Sequence, residues 1–165
     1  MAGSFKRMGG DRVRVRLGHD EVAILKGLPD QLRTVLAEGA DEPVNQRLFP
    51  PAYLDVADVE HDAEYHRLMH DDLVEEKLAN LDLVGATLAR GSSGVRRWTV
   101  ELTGEEAAAW LAVINDLRLA LGVRLDITED YDGDVDDSDP RAPALRLLSY
   151  LGWLEEQLLE ALQRP

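Results

Sequence analysis

Cysteine is missing from all 165 residues, which excludes disulfide bonding, thiol catalysis and thiolate metal sites in this chain. A thiol-free composition suits a reducing compartment. No uninterrupted apolar run approaches the roughly 20 residues that span a bilayer, and the opening MAGSFKRMGG lacks the apolar centre of a secretory signal. The expectation is a cytoplasmic protein without membrane contact. Neither GxSxG nor a phosphate-binding glycine loop occurs, and Ser92 and Ser93 sit between glycines, where small polar residues serve turn geometry. Basic residues are also short in number: 18 Lys and Arg stand against 32 Asp and Glu, a net charge of −14. A general nucleic-acid binder needs the opposite balance.

What is present reads as one domain over residues 1–165, with 45% hydrophobic and 30% charged residues and enough length to bury a core. The clearest stretch is Trp98 to Gly122. Trp98, Val100 and Leu102 alternate with Thr99 and Glu101, as in a strand with one apolar face. Thr103 stands three residues before Glu106, the spacing at which hydroxyl and carboxylate cap each other's exposed N–H groups. Trp110, Val113, Ile114, Leu117 and Leu121 follow at helical spacing, and Gly122 suits the left-handed residue after a last turn. The pattern recurs: Val13, Val15 and Leu17 alternate with Arg14 and Arg16, then Gly18 to Glu21 opens a second helical run. Two such strands can pair and be covered by their helices.

Elsewhere, Asp20 to Ala37 is helical with a kink or break expected at Gly27-Leu28-Pro29. Gly39 to Pro51 is a proline-rich connector. A long helix from about Val59 to Ala89 should turn Tyr65, Leu68, Leu73, Leu78, Leu81, Val84 and Leu88 inward. Gly91 to Gly94 reads as a turn, and Val123, Leu125 and Ile127 as an optional third strand. Residues 126–139 form an acidic loop with eight carboxylates in fourteen residues, whose repulsion predicts a solvated, flexible segment. A last helix begins near Pro143. The predicted fold is α+β and mainly helical, with four to five helices on a two- or three-stranded sheet.

Few constellations carry chemistry. Asp130, Asp132, Asp134 and Asp136 begin like a calcium loop, but the twelfth position, where a bidentate Glu is needed, is Arg141. Asp62, His66 and His70 share a helix face at metal-binding spacing, although no glutamate lies between the histidines as in HExxH. They are the only metal candidates, set against exposed histidines on an acidic helix. No cofactor is implied. Asn115, Asp116 and Arg118 interrupt the central helix, most simply as hydrogen-bonded bridges to neighbouring elements. Arg12, Arg14 and Arg16 lie in a basic first stretch whose residues 1–16 carry a net +4. A β-ribbon reading DNA would use them, while the plainer reading is the solvated face of an edge strand. The last helix has more apolar residues than one core surface needs, predicting a homodimer contact through Tyr150, Leu151, Trp153, Leu154 and Leu158.

The segments AWLAVINDLRLALGVRLDITED (Ala109 to Asp130), YLGWLEEQLLEAL (Tyr150 to Leu162), RLFPPAY (Arg47 to Tyr53) and FKR (Phe5 to Arg7) resemble an actinobacterial family filed as a domain of unknown function. Its genes often neighbour that of the protease adaptor ClpS, and it includes actinomycete oxidative-stress regulators of the AosR type. The resemblance implies a cytoplasmic, non-enzymatic regulator that engages a sigma factor and supports cysteine-biosynthesis transcription. The family's described switch is a disulfide between closely spaced N-terminal cysteines. This chain has none, so thiol sensing does not transfer, and a sigma-factor contact tied to the oxidised form loses that support. The function expected is regulation through contact with a sigma factor or another basic protein. The alternatives are DNA binding by the basic strand and, after it, a metal-binding enzyme.

Overall fold

The computed structural model describes residues 3–39, 42–49 and 59–164, with the side chains of 59–63, 65 and 66 outside that description. Five helices and one antiparallel sheet of four strands occur among the described residues. The chain order is β1 (Ser4–Arg7), β2 (Val13–Leu17), α1 (His19–Ala37), α2 (Pro43–Leu48), α3 (Val59–Arg90), β3 (Ser92–Ser93), β4 (Trp98–Leu102), α4 (Gly104–Arg124) and α5 (Ala142–Gln163). The fold is α+β and mainly helical, and no described helix is long and apolar enough to cross a membrane.

The sheet order is β1-β2-β4-β3. Alternation puts Val13, Val15, Leu17, Trp98, Val100 and Leu102 on one face, each no more than 4% exposed. Val15 faces Val100, and Leu17 faces Trp98 as Leu102 faces Val13. The two strand–helix units therefore meet about a local pseudo-dyad through the Val15–Val100 pair. Helix α4 packs against α1, α2, α3, α5 and β4. That explains why Ala107, Trp110, Val113, Ile114 and Asp116, on different sides of it, are all buried.

Both units are capped by a glutamate that also ties down a distant element. The Thr103 N–H donates to Glu106 Oε2 at 2.9 Å and the Glu106 N–H to Thr103 Oγ1 at 3.2 Å. Arg90 on α3 then grips both oxygens of Glu106 at 2.7 and 2.8 Å. In the first unit the Gly18 N–H donates to Glu21 Oε2 at 2.6 Å, and the Tyr150 hydroxyl of α5 donates to Glu21 Oε1 at 2.9 Å. Burial and the Glu21 carboxylate together push the Tyr150 phenol upward.

The Arg90 guanidinium, with the Thr103 N–H behind it, holds the Glu106 carboxyl at about 2 against an ordinary 4.5. The folded state thus keeps this charge in acid where the unfolded chain takes up a proton. Its contribution is complete above pH 4.5 and is lost as pH falls through 4.5 towards 2. Arg90 is half exposed, so solvent screening limits the contribution to about 1–2 kcal/mol. Denaturant unfolding of Glu106→Gln and the parent across this window should show a gap at neutral pH that narrows with acid. A gap independent of pH would refute the assignment.

Of the two outcomes expected at Gly27-Leu28-Pro29, the break does not occur: helix α1 is one element with Pro29 buried inside it. Two expectations need correction. No third strand forms at Val123–Ile127, because α4 continues through Gly122 to Arg124. The left-handed residue is Asp126, with φ 52°. The Asp126 N–H donates to the Val123 carbonyl at 3.1 Å and the Ile127 N–H to that of Gly122 at 2.9 Å, a Schellman closure. The sheet is wider than predicted. Ser92–Ser93 pairs with β4 before the Gly94 turn, and Ser4–Arg7 pairs with β2. A further departure is Leu68, which is 62% exposed rather than inward. Among the described residues, Lys77, Asp82, Thr87 and Arg90 tie α3 to its neighbours through Asp116, Arg33, Trp110 and Glu106.

Candidate functional site

A groove of ≈ 770 Å³ runs between α4 and α5 and is closed at one side by Ile127 and Tyr131 of the following loop. Its apolar lining includes Leu119, Leu148, Trp153 and Leu159. Leu119 and Leu148 are partly covered, while Leu159 is 39% exposed. The walls are joined across the groove by an Arg118–Glu155 ion pair, which neutralises the guanidinium. Glu156 stands exposed at the rim, and the loop beyond carries exposed Glu129, Asp130 and Asp132. The Tyr131 hydroxyl is buried with no hydrogen-bond partner among the described residues.

The acidic loop is braced rather than merely repelling itself. Asp132 and Asp136 accept the N–H groups of Asp134 and Ser138 at 2.9 Å, and Asp137 pairs with Arg146. Arg141 pairs with Asp139 at 3.0 Å and donates to the Leu125 carbonyl at 2.7 Å, closing the loop at its base. Hydrogen bonds from Ser138 lower the Asp136 carboxyl, and those from Arg141 lower Asp139.

The five residues expected on a partner surface divide. Leu151, Leu154 and Leu158 are fully buried within the chain and belong to its core. The reason is that α5 faces two surfaces, α4 and β1, so one helix can bury both apolar stripes. Tyr150 and Trp153 are half-buried. Trp153 meets Phe5 of β1 edge-on at 6.2 Å and Tyr150 at 6.0 Å. Only Trp153 of the five lines the groove.

Arg14 and Arg16 share the outer face of β2. Arg14 lies between Lys6 and Glu101, and Arg16 between Ser4 and Thr99. Arg12 precedes the strand, at the β1–β2 turn. Arg14 is paired with Glu101 at 2.7 Å, and that bond, reinforced by the charges of Arg14 and Arg12, lowers the Glu101 carboxyl. A carboxylate in the middle of the basic face works against a phosphate contact there.

Of the metal candidates, the side chains of Asp62 and His66 lie outside the described residues. His70 packs against Phe49 with the rings tilted by 60° and their centroids 4.5 Å apart. The Lys77 ammonium is 5.4 Å from the centre of the same ring and 2.9 Å from both oxygens of Asp116. Burial raises the Asp116 carboxyl, and Lys77 opposes that shift. Asp116 and Arg118 thus bridge α4 to α3 and α5, while Asn115 is exposed on the groove wall.

Sequence reasoning missed the groove. Its available signal was a pair of glycines, Gly122 and Gly152, inside the helices α4 and α5.

The family described as a domain of unknown function, DUF2017, matches residues 2–162. A Mycobacterium leprae protein of the AosR oxidative-stress-regulator type is 29% identical over 155 residues, covering 87% of this chain and 67% of that protein. The oxidative stress regulator AosR of Mycobacterium tuberculosis H37Rv is 28% identical over 179 residues, covering 91% of this chain and 82% of its own length. The protein of that name from Mycobacterium bovis aligns to the same extent. No solved structure gives a significant match.

Proposed function

This chain belongs to the DUF2017 family, and on that premise we propose that it is a non-enzymatic, cytoplasmic regulator acting by contact with another protein, a sigma factor in the first instance. The observation that carries the proposal is the extent of its likeness to proteins named oxidative stress regulators. That likeness covers 87% and 91% of the chain, so it extends over most of its length rather than one segment. An acidic body supports the choice of partner, since charge steers encounter with basic proteins and apolar groove residues supply affinity.

Without cysteine, this contact must work without a thiol switch. Titration of the purified chain against purified alternative sigma factors from the same organism, with and without diamide, tests both statements. One of them should bind, with an affinity and stoichiometry that diamide leaves unchanged when it is applied to this chain alone. Absence of binding to every sigma factor would remove the proposed partner. A diamide-dependent gain would show sensing by another route.

A further inference from the structure

We propose that the α4–α5 groove receives one amphipathic helix of the partner, with its apolar face on the groove and a basic outer face. The inference rests on the reading of this chain as a partner-binding regulator and adds the chemistry of what it binds.

The backbone argues for a helix. Two walls are α-helices whose main-chain groups bond internally. On the third wall, the N–H groups of Ile127 and Tyr131 are taken by the Gly122 and Thr128 carbonyls at 2.9 and 3.1 Å. An extended peptide would find no strand edge there to extend, so the occupant must satisfy its own main chain. At ≈ 770 Å³ the groove has room for the apolar side chains that a helix presents at i, i+3 or i+4, and i+7.

The depth of the groove depends on glycines that internal packing does not demand. A Cβ at Gly122 would meet nothing within 4 Å, and one at Gly152 would make only an ordinary 3.6 Å contact with Arg118. Glycine within a helix costs about 0.5–1 kcal/mol relative to Ala, so both positions weaken the monomer while keeping the groove floor open.

Charge selects the partner. With Arg118 neutralised by Glu155, the surroundings are left with Glu156, Glu129, Asp130 and Asp132. A second copy of this chain would bring the same acidic rim and be repelled, whereas a helix with Lys or Arg outside its apolar face is complementary.

The test uses the full chain and three fluorescein-labelled peptides: an amphipathic Leu/Lys helix, a scrambled Leu/Lys peptide of equal composition, and an amphipathic Leu/Glu helix. Anisotropy titrations should show the Leu/Lys helix binding at least roughly tenfold more tightly than either control. Gly122→Leu, which fills open space, should weaken it by about tenfold while the melting temperature holds or rises. Leu159→Arg, on the exposed rim, should do the same and guards against misfolding of the first variant. Equal binding of the scrambled or acidic peptide, or groove variants within about twofold of the parent, would overturn the proposal. So would concentration-dependent dimerisation that Gly122→Leu abolishes, since the occupant would then be a second copy. Variants that still bind a sigma factor like the parent would sink the groove and leave the regulator reading standing. Selective peptide binding without any sigma-factor contact would do the reverse.

Discussion

Replacing Gly91 by Ala is expected to lower stability by about 3 kcal/mol, although Ala is the better helix former beside the end of α3. A Cβ at position 91 would lie 2.1 Å from two carbons of the Trp98 indole. Trp98 is 1% exposed in the middle of the sheet–helix core, so the ring has nowhere to go. For a chain of this length the loss corresponds to roughly 6–12 °C in melting temperature. Helix propensity alone predicts a small rise instead. Thermal unfolding therefore decides between the two effects by sign, and a variant as stable as the parent would show that Trp98 does not pack on this backbone.

Leu154→Ala is expected to cost about 2–5 kcal/mol, the range for a leucine removed from a filled core. Leu154 is fully buried inside the monomer, with Leu151 and Leu158 on the same stripe. The melting temperature should fall by roughly 10 °C at every protein concentration, because no subunit contact is being removed. A loss that appears only on dilution, together with a change in mass by light scattering, would return this stripe to a dimer interface.

Those two residues mark where the sequence was legible and where it was not. Apolar alternation at Trp98–Leu102 and the Thr103–Glu106 spacing correctly located β4 and the start of α4, because both depend on interactions within a few residues. The pairing of Val13–Leu17 with β4 followed from their matching patterns. The strand β1 escaped notice because four residues carry almost no periodic signal. Its place depends on long-range contacts, Phe5 with Trp153 and Arg7 with the Leu162 carbonyl at 3.0 Å. The end of α4 was misplaced because a glycine was taken as the terminator. The chain turns instead at Asp126, whose short side chain tolerates the left-handed region, and this lets Ile127 fold back onto the groove wall.

The partner surface was half legible for a similar reason. Counting apolar residues on α5 showed a surplus beyond one core surface, but not that β1 would cover part of it. What the surplus leaves is Leu148, Trp153 and Leu159 along the groove. Glycines on facing helices gave the missing clue, which becomes readable only once the two helices are known to lie side by side.

We propose that this chain, like the oxidative stress regulators it resembles, controls oxidant-response transcription, and that it does so through protein contact and without a thiol. Transcript profiles of cells lacking the gene, before and after peroxide, test that claim most directly when compared with cells in which the cysteine-free chain has been restored. Deletion should alter a defined set of oxidant-response transcripts, and the restored chain should return them to the parental pattern. Profiles that are the same with and without the gene, in both conditions, would contradict the claim.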